Sequence, residues 1–203
     1  MTFSLRTVTL FVFALFAVSI SVSAQAPTPT LSSTASSGTY VRPDAATRRS
    51  RYLKSIVGPE SLLKITASAG FSTATNSPEE WGPQWKGFGK RVASNFGKEL
   101  ISNSVRYGLD EALTLDSQFY RSENRSTGAR LKNALISVVT ARNQTGKRVI
   151  GVPRLVGTYT ANMIAAEAWY PGRYSYKDGL KSGTISLGLN AAFNLVREFI
   201  LKK

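Results

Sequence analysis

Cysteine and histidine are both absent from the 203 residues, and acidic residues are few, 12 Asp+Glu against 26 Lys+Arg. Without Cys there is no disulfide, no thiolate metal site and no Cys nucleophile. Without His, the Ser-His-Asp triad and nearly every catalytic zinc site are excluded. No metal site and no cofactor motif is expected. Gly87-Phe88-Gly89 has no preceding strand and no Gly-Lys-Ser/Thr, so it is not a phosphate loop, and Gly-x-Ser-x-Gly does not occur. Past the N-terminal stretch, no segment offers about 20 apolar residues free of charge, as a spanning helix requires. Carboxylate, Lys, Tyr, Ser and Arg remain for chemistry.

What is present begins with an address. Met1 to Arg6 carries one positive charge, Val8 to Val22 is almost uninterruptedly apolar, and Ser21, Ser23, Ala24, Gln25 and Ala26 follow. A basic start, an apolar stretch and a small-x-small site are the three parts of a secretory signal, here residues 1–26. An uncleaved anchor is the rival, although the apolar run is short for a span. Residues 27–42, rich in Pro, Ser and Thr and free of charge up to Val41, read as a disordered linker. Export without Cys suits a bacterial envelope, periplasmic or at the outer membrane. In that setting the excess of cations points to anionic lipid, lipopolysaccharide or a wall polymer, and not to nucleic acid.

The spacing of caps, breakers and apolar residues in 43–203 predicts a mostly α domain of five or six helices. They fall near Asp44–Val57, Glu60–Ala74, Phe88–Leu113, Gly128–Arg142, Pro153–Trp169 and Asp178–Leu201. Thr114 to Arg125 reads as a loop, and Arg148–Gly151 as at most a short strand. On the long third helix Phe88, Val92, Phe96 and Leu100 recur at i+4, continued by Ile101, Val105 and Leu109. Small residues recur at spacing four in Gly89-Ala93-Gly97, Gly157-Ala161-Ala165 and Gly188-Ala192, which lets helix backbones approach closely. On the last helix Ser186, Asn190, Asn194 and Arg197 form a narrow polar strip on an otherwise apolar surface.

Two aromatic-basic runs stand out, Trp81 to Arg91 and Trp169 to Lys177, both at helix ends. Trp beside Lys or Arg suits a membrane interface or a sugar ring. The candidate surface residues are Arg48, Arg49, Arg51 and Lys54 with Trp81, Trp85, Lys86, Lys90 and Arg91. A carboxylate-dependent hydrolase of envelope glycan is the enzymatic alternative, with Glu167, Glu198 or Asp116 as acid or base. Glu167 and Glu198 are the carboxylates that apolar neighbours could bury. A structural subunit, self-associating through the close-packing helix faces, is the third reading.

Trp81-Gly82-x-x-Trp85-x-Gly87-Phe88-Gly89-x-Arg91, then Asp116-Ser117-x-Phe119-Tyr120, then Thr140-Ala141-Arg142, then Trp169-Tyr170-Pro171 occur in this order. The combination resembles a set of uncharacterised exported helical proteins of environmental bacteria. The resemblance covers about Pro43 to the C-terminus. It implies an exported helical domain and carries over no activity and no catalytic residue.

Overall fold

A computed structural model describes residues 40–201. The expected signal segment and linker residues 27–39 lie outside the described residues. Six α-helices and one hairpin make up the described part, in the order α1 (Ala45–Val57), α2 (Pro59–Ala74), a 3-10 turn (Glu79–Trp81), α3 (Trp85–Ala112), α4 (Thr127–Ile136), β1 (Thr140–Arg142), β2 (Arg148–Ile150), α5 (Val152–Ala168) and α6 (Tyr176–Phe199). The expected mostly helical fold is observed.

The helix ends follow local chemistry. The Asp44 side chain accepts from the Thr47 amide at 3.2 Å and starts α1, while Pro59 sits in the first turn of α2. Ser126 caps α4, and Ser175 with Asp178 forms a reciprocal capping box on α6. One expected helix is shorter than its pattern suggests. Helix α4 stops at Ile136, and Thr140–Arg142 is extended, paired antiparallel with Arg148–Ile150. The β-branched Val138, Val139 and Thr140 favour the strand, and the Asn143 carboxamide oxygen closes the turn by accepting from the Thr145 and Lys147 amides, each at 3.0 Å. The folded unit also begins earlier than expected. Tyr40 donates to Asp116 at 2.6 Å, and Arg42 donates to the Asp110 carbonyl at 3.0 Å, so 40–42 belong to the domain and not to the linker.

Helices α3, α5 and α6 form the centre. A β-carbon on Gly157 would stand 2.6 Å from the Ser102 carbonyl oxygen, and one on Gly179 would stand 2.6 Å from the Met163 backbone. These glycines therefore set how closely α5 approaches α3 and α6. Ala161 and Ala165 are fully buried beside them, as the spacing predicts. Gly89 and Gly188 meet no neighbour within 4 Å and take no part in the packing.

The interior is polar. Among the described residues the buried apolar side chains are Ile56, Ile65, Val138, Pro78, Pro153 and a set of alanines, and no Leu, Phe, Tyr, Trp or Met is fully buried. On α3 the buried residues are Gly87, Arg91, Ser94, Asn95, Asn103 and Asp110. Phe88, Val92 and Leu100 are only partly covered and Phe96 is exposed, so the stripe that reads as a core face borders the surface. Three polar stripes at helical spacing meet instead: Arg91, Asn95, Glu99 and Asn103 on α3, Arg154, Thr158 and Asn162 on α5, and Ser186, Asn190 and Asn194 on α6. The buried amides are bonded. Asn103 donates to the Ser55 carbonyl at 3.0 Å and to Glu99 at 2.9 Å, and Asn194 donates to the Ala134 carbonyl at 3.1 Å.

Candidate interfacial surface

The two aromatic-basic runs, about 80 residues apart in sequence, meet at the N-terminal end of α3. The Trp81 and Tyr170 rings make an edge contact with centroids 5.3 Å apart, and Tyr170 contacts Tyr174 at 5.5 Å. Trp169 lies over Gly97 and donates its indole N–H to Ser94 at 2.9 Å. Trp81, Ala93, Gly97 and Trp169 then line one shallow, largely apolar depression with Lys90 at its edge. Trp85 stands 85% exposed in the first turn of α3, touching Phe88 edge-on at 5.8 Å. Lys86 and Lys90 are exposed.

Arg91 does not belong to this surface. It is 1% exposed and donates to the carbonyls of Ser77, Pro78 and Gly82 and to the Asn76 carboxamide, at 2.9, 2.7, 2.6 and 3.3 Å. Its role is to hold the 76–82 turn against α3. Gly87 admits the same turn, since a β-carbon there would lie 2.2 Å from the Gly82 carbonyl oxygen.

The basic residues of α1 stand elsewhere. Arg48 holds Glu111 through two hydrogen bonds of 2.6 and 2.8 Å, at the opposite end of the 28-residue α3 from Lys86 and Lys90. Twenty-one residues of helix separate Lys90 from Glu111, roughly 30 Å at the helical rise. The two basic clusters are therefore not one patch. Arg51 donates to the Tyr120 hydroxyl at 2.8 Å, and its guanidinium lies 4.0 Å from Asp116. Arg49 is exposed without a side-chain partner among the described residues, and the exposed Lys54 borders a partly open cavity.

The three candidate carboxylates have separate partners. Glu167 is exposed, contrary to the expectation of burial, and accepts from the Tyr176 amide at 2.7 Å in front of α6. Glu198 is 3% exposed, as expected, and its carboxylate accepts from Arg130 at 3.3 Å, Asn133 at 3.1 Å and the Ser122 amide at 3.2 Å. Asp116 is buried, which would raise its carboxyl, but the Tyr120 and Tyr40 hydroxyls, both at 2.6 Å, overcome this and hold it below the ordinary carboxylate range. The same contact, after burial, raises both tyrosines. Each carboxylate is thus engaged in tying one segment to another.

Asp110 is the titratable group that the sequence gives least reason to single out. Burial pushes its carboxyl up to about 6, against the opposing pull of the Ser117 hydroxyl at 2.7 Å and the Arg106 charge. Asp110 lies two turns beyond Asn103, on the buried side of α3. Family models, characterised proteins and solved structures give no match to this chain.

Proposed function

We propose that this is an exported cell-envelope protein whose helical domain associates, as a non-enzymatic module, with an anionic membrane surface through the end that carries Trp81, Trp85 and Trp169. The meeting of Trp81 and Trp169 with Lys90, at the helix end whose first turn carries the exposed Trp85 and Lys86, is the observation that carries this reading. Indole rings favour the headgroup level of a bilayer, and each lysine near an anionic leaflet contributes about 1 kcal/mol. Large apolar side chains turned outward elsewhere, Leu63, Ile185 and Ile200 among them, add support. No helix among the described residues is long and apolar enough to cross a membrane, so the contact is one of lying on the surface. The glycan-hydrolase alternative finds no such support, because each of its carboxylates has its own structural partners.

Co-sedimentation with vesicles tests the proposal, using the purified protein lacking residues 1–26. Binding should rise with the anionic lipid fraction and fall with salt. The Lys86→Gln/Lys90→Gln variant should lose about 2 kcal/mol, roughly thirtyfold. Trp85→Ala should remove the part of binding that salt leaves. Absence of binding to anionic vesicles at low salt would overturn the reading. Under the wall-polymer or self-assembly alternatives, isolated polymer or a concentration-dependent oligomer would then account for the surface.

A further inference from the structure

Away from the tryptophans, a cavity of about 210 Å³ lies among α1, α2, α3, α5 and α6. Six cations line it, Arg51, Lys54, Lys64, Arg106, Arg154 and Arg197, against two carboxylates, Glu60 and Glu99. Both carboxylates are already taken, Glu60 by Arg197 and Glu99 by Lys64 at 2.9 Å. Among the described residues Lys54, Arg106 and Arg154 have no carboxylate within 4.0 Å. Arg154 is 8% exposed, donates once to the Ser117 carbonyl, and leaves its buried Nε without a partner. Burial, with the charges of Arg106 and Arg197, pushes its guanidinium down to about 9. The cations outnumber the carboxylates among them, and the buried Arg154 is the least well compensated, so an anion placed beside it would relieve that cost.

The chemistry of the lining narrows the anion. Several unpaired cations call for more than one negative charge, and the guanidinium fork matches phosphate oxygens. The volume accepts a phosphate and a short substituent, below the roughly 300 Å³ at which sites for drug-sized ligands begin. A second cavity of about 350 Å³ shares Lys64, Glu99 and Asn190 with the first. Its lining mixes Ser68, Ser102, Thr158, Tyr170 and Tyr174 with the apolar Ile65, Phe71, Ile185 and Leu189. We propose that the basic cavity holds the phosphate of a small phosphomonoester, whose hydroxylated body lies in the adjoining cavity. The site goes beyond the membrane reading and needs no bilayer, so either can fail without the other.

Calorimetric titration of the full-length protein in non-ionic detergent tests it, with glucose 6-phosphate, glycerol 3-phosphate, inorganic phosphate and glucose as probes. The two esters should bind, inorganic phosphate about tenfold more weakly, and glucose not at all. Arg106→Gln should weaken ester binding by about tenfold or more and Lys54→Gln by about threefold. Lys54→Gln should leave the ligand-free melting temperature unchanged, because Lys54 is exposed and has no carboxylate within 4.0 Å, whereas Arg106→Gln also removes a charge that acts on Asp110 and is compared with the parent by affinity alone. Absence of ester binding at about 10 mM, or unchanged affinity in Arg106→Gln, would overturn the proposal. Equal affinity for phosphate and its esters would overturn the role of the adjoining cavity. Binding confined to phosphatidic acid vesicles would overturn a soluble ligand in favour of a lipid headgroup.

Discussion

Arg91 stands next to the exposed Lys90 in sequence, yet three backbone carbonyls and a carboxamide enclose its guanidinium. Removing the side chain would leave those oxygens buried and unsatisfied. Arg91→Met should therefore cost about 3–5 kcal/mol in urea unfolding, while Lys90→Gln should stay within about 0.5 kcal/mol. Equal small effects would contradict the clamp. The sequence cannot separate these neighbours by charge, because their difference is set by the turn that folds back over α3. The same holds for Glu167 and Glu198, which both have apolar neighbours in sequence. Only Glu198 is covered, by Arg130, Asn133 and the Ser122 backbone from distant segments.

Asp110 gives a second prediction at this scale. Its carboxyl ordinarily titrates at 3.8 and is raised to about 6 in the fold, so between those values the folded chain holds a proton that the unfolded chain has lost. Its contribution to stability therefore falls as pH rises through that window and is constant above it. Asp110→Asn removes this dependence. Across about pH 4 to 7 the variant should gain about 2 kcal/mol relative to the parent in paired denaturation curves. A flat difference, or one of opposite slope, would contradict the buried state. Glu111 and Asp116, both held low, act oppositely but are common to both proteins.

Among the helices, glycine spacing predicts close packing at several places, and the structure realises some of them. Gly157→Ala places a methyl group against the Ser102 carbonyl and should destabilise by about 1–3 kcal/mol. Gly188→Ala, on an exposed part of α6 with nothing within 4 Å, should stabilise by about 0.5–1 kcal/mol. Similar shifts in thermal melts would mean that the α3–α5 contact is looser than described. Helix positions were legible because caps and breakers act locally: Asp44, Pro59 and Ser126 all lie at observed helix starts, whereas the last helix, expected from Asp178, begins at Tyr176 behind Ser175. The hairpin was less so, since Val138 to Thr140 also continues the α4 pattern until Arg148–Ile150 offers a strand to pair with. The inward face of α3 was not legible: the apolar stripe from Phe88 to Leu109 reads as the core face, and nothing local says that Arg91, Asn95 and Asn103 turn inward instead.

For the whole molecule, the interior is built from small and polar residues while large apolar side chains border the outside. The proposed interface with lipid would cover part of that outward apolar surface. The meeting of the two aromatic-basic runs was foreshadowed by their positions at helix ends. Their direct contact depends on α5 crossing α3 at Gly157, which only the fold supplies. The most direct test uses the absence of Cys, which makes a single introduced thiol unambiguous to label. An environment-sensitive fluorophore would be placed in turn at Gly89→Cys, Ala93→Cys and, as a control in the hairpin turn, Gln144→Cys, and each would be titrated with anionic vesicles. Labels at 89 and 93 should shift to the blue while the label at 144 does not. No shift at 89 and 93, or a shift only at 144, would contradict insertion through the tryptophan end.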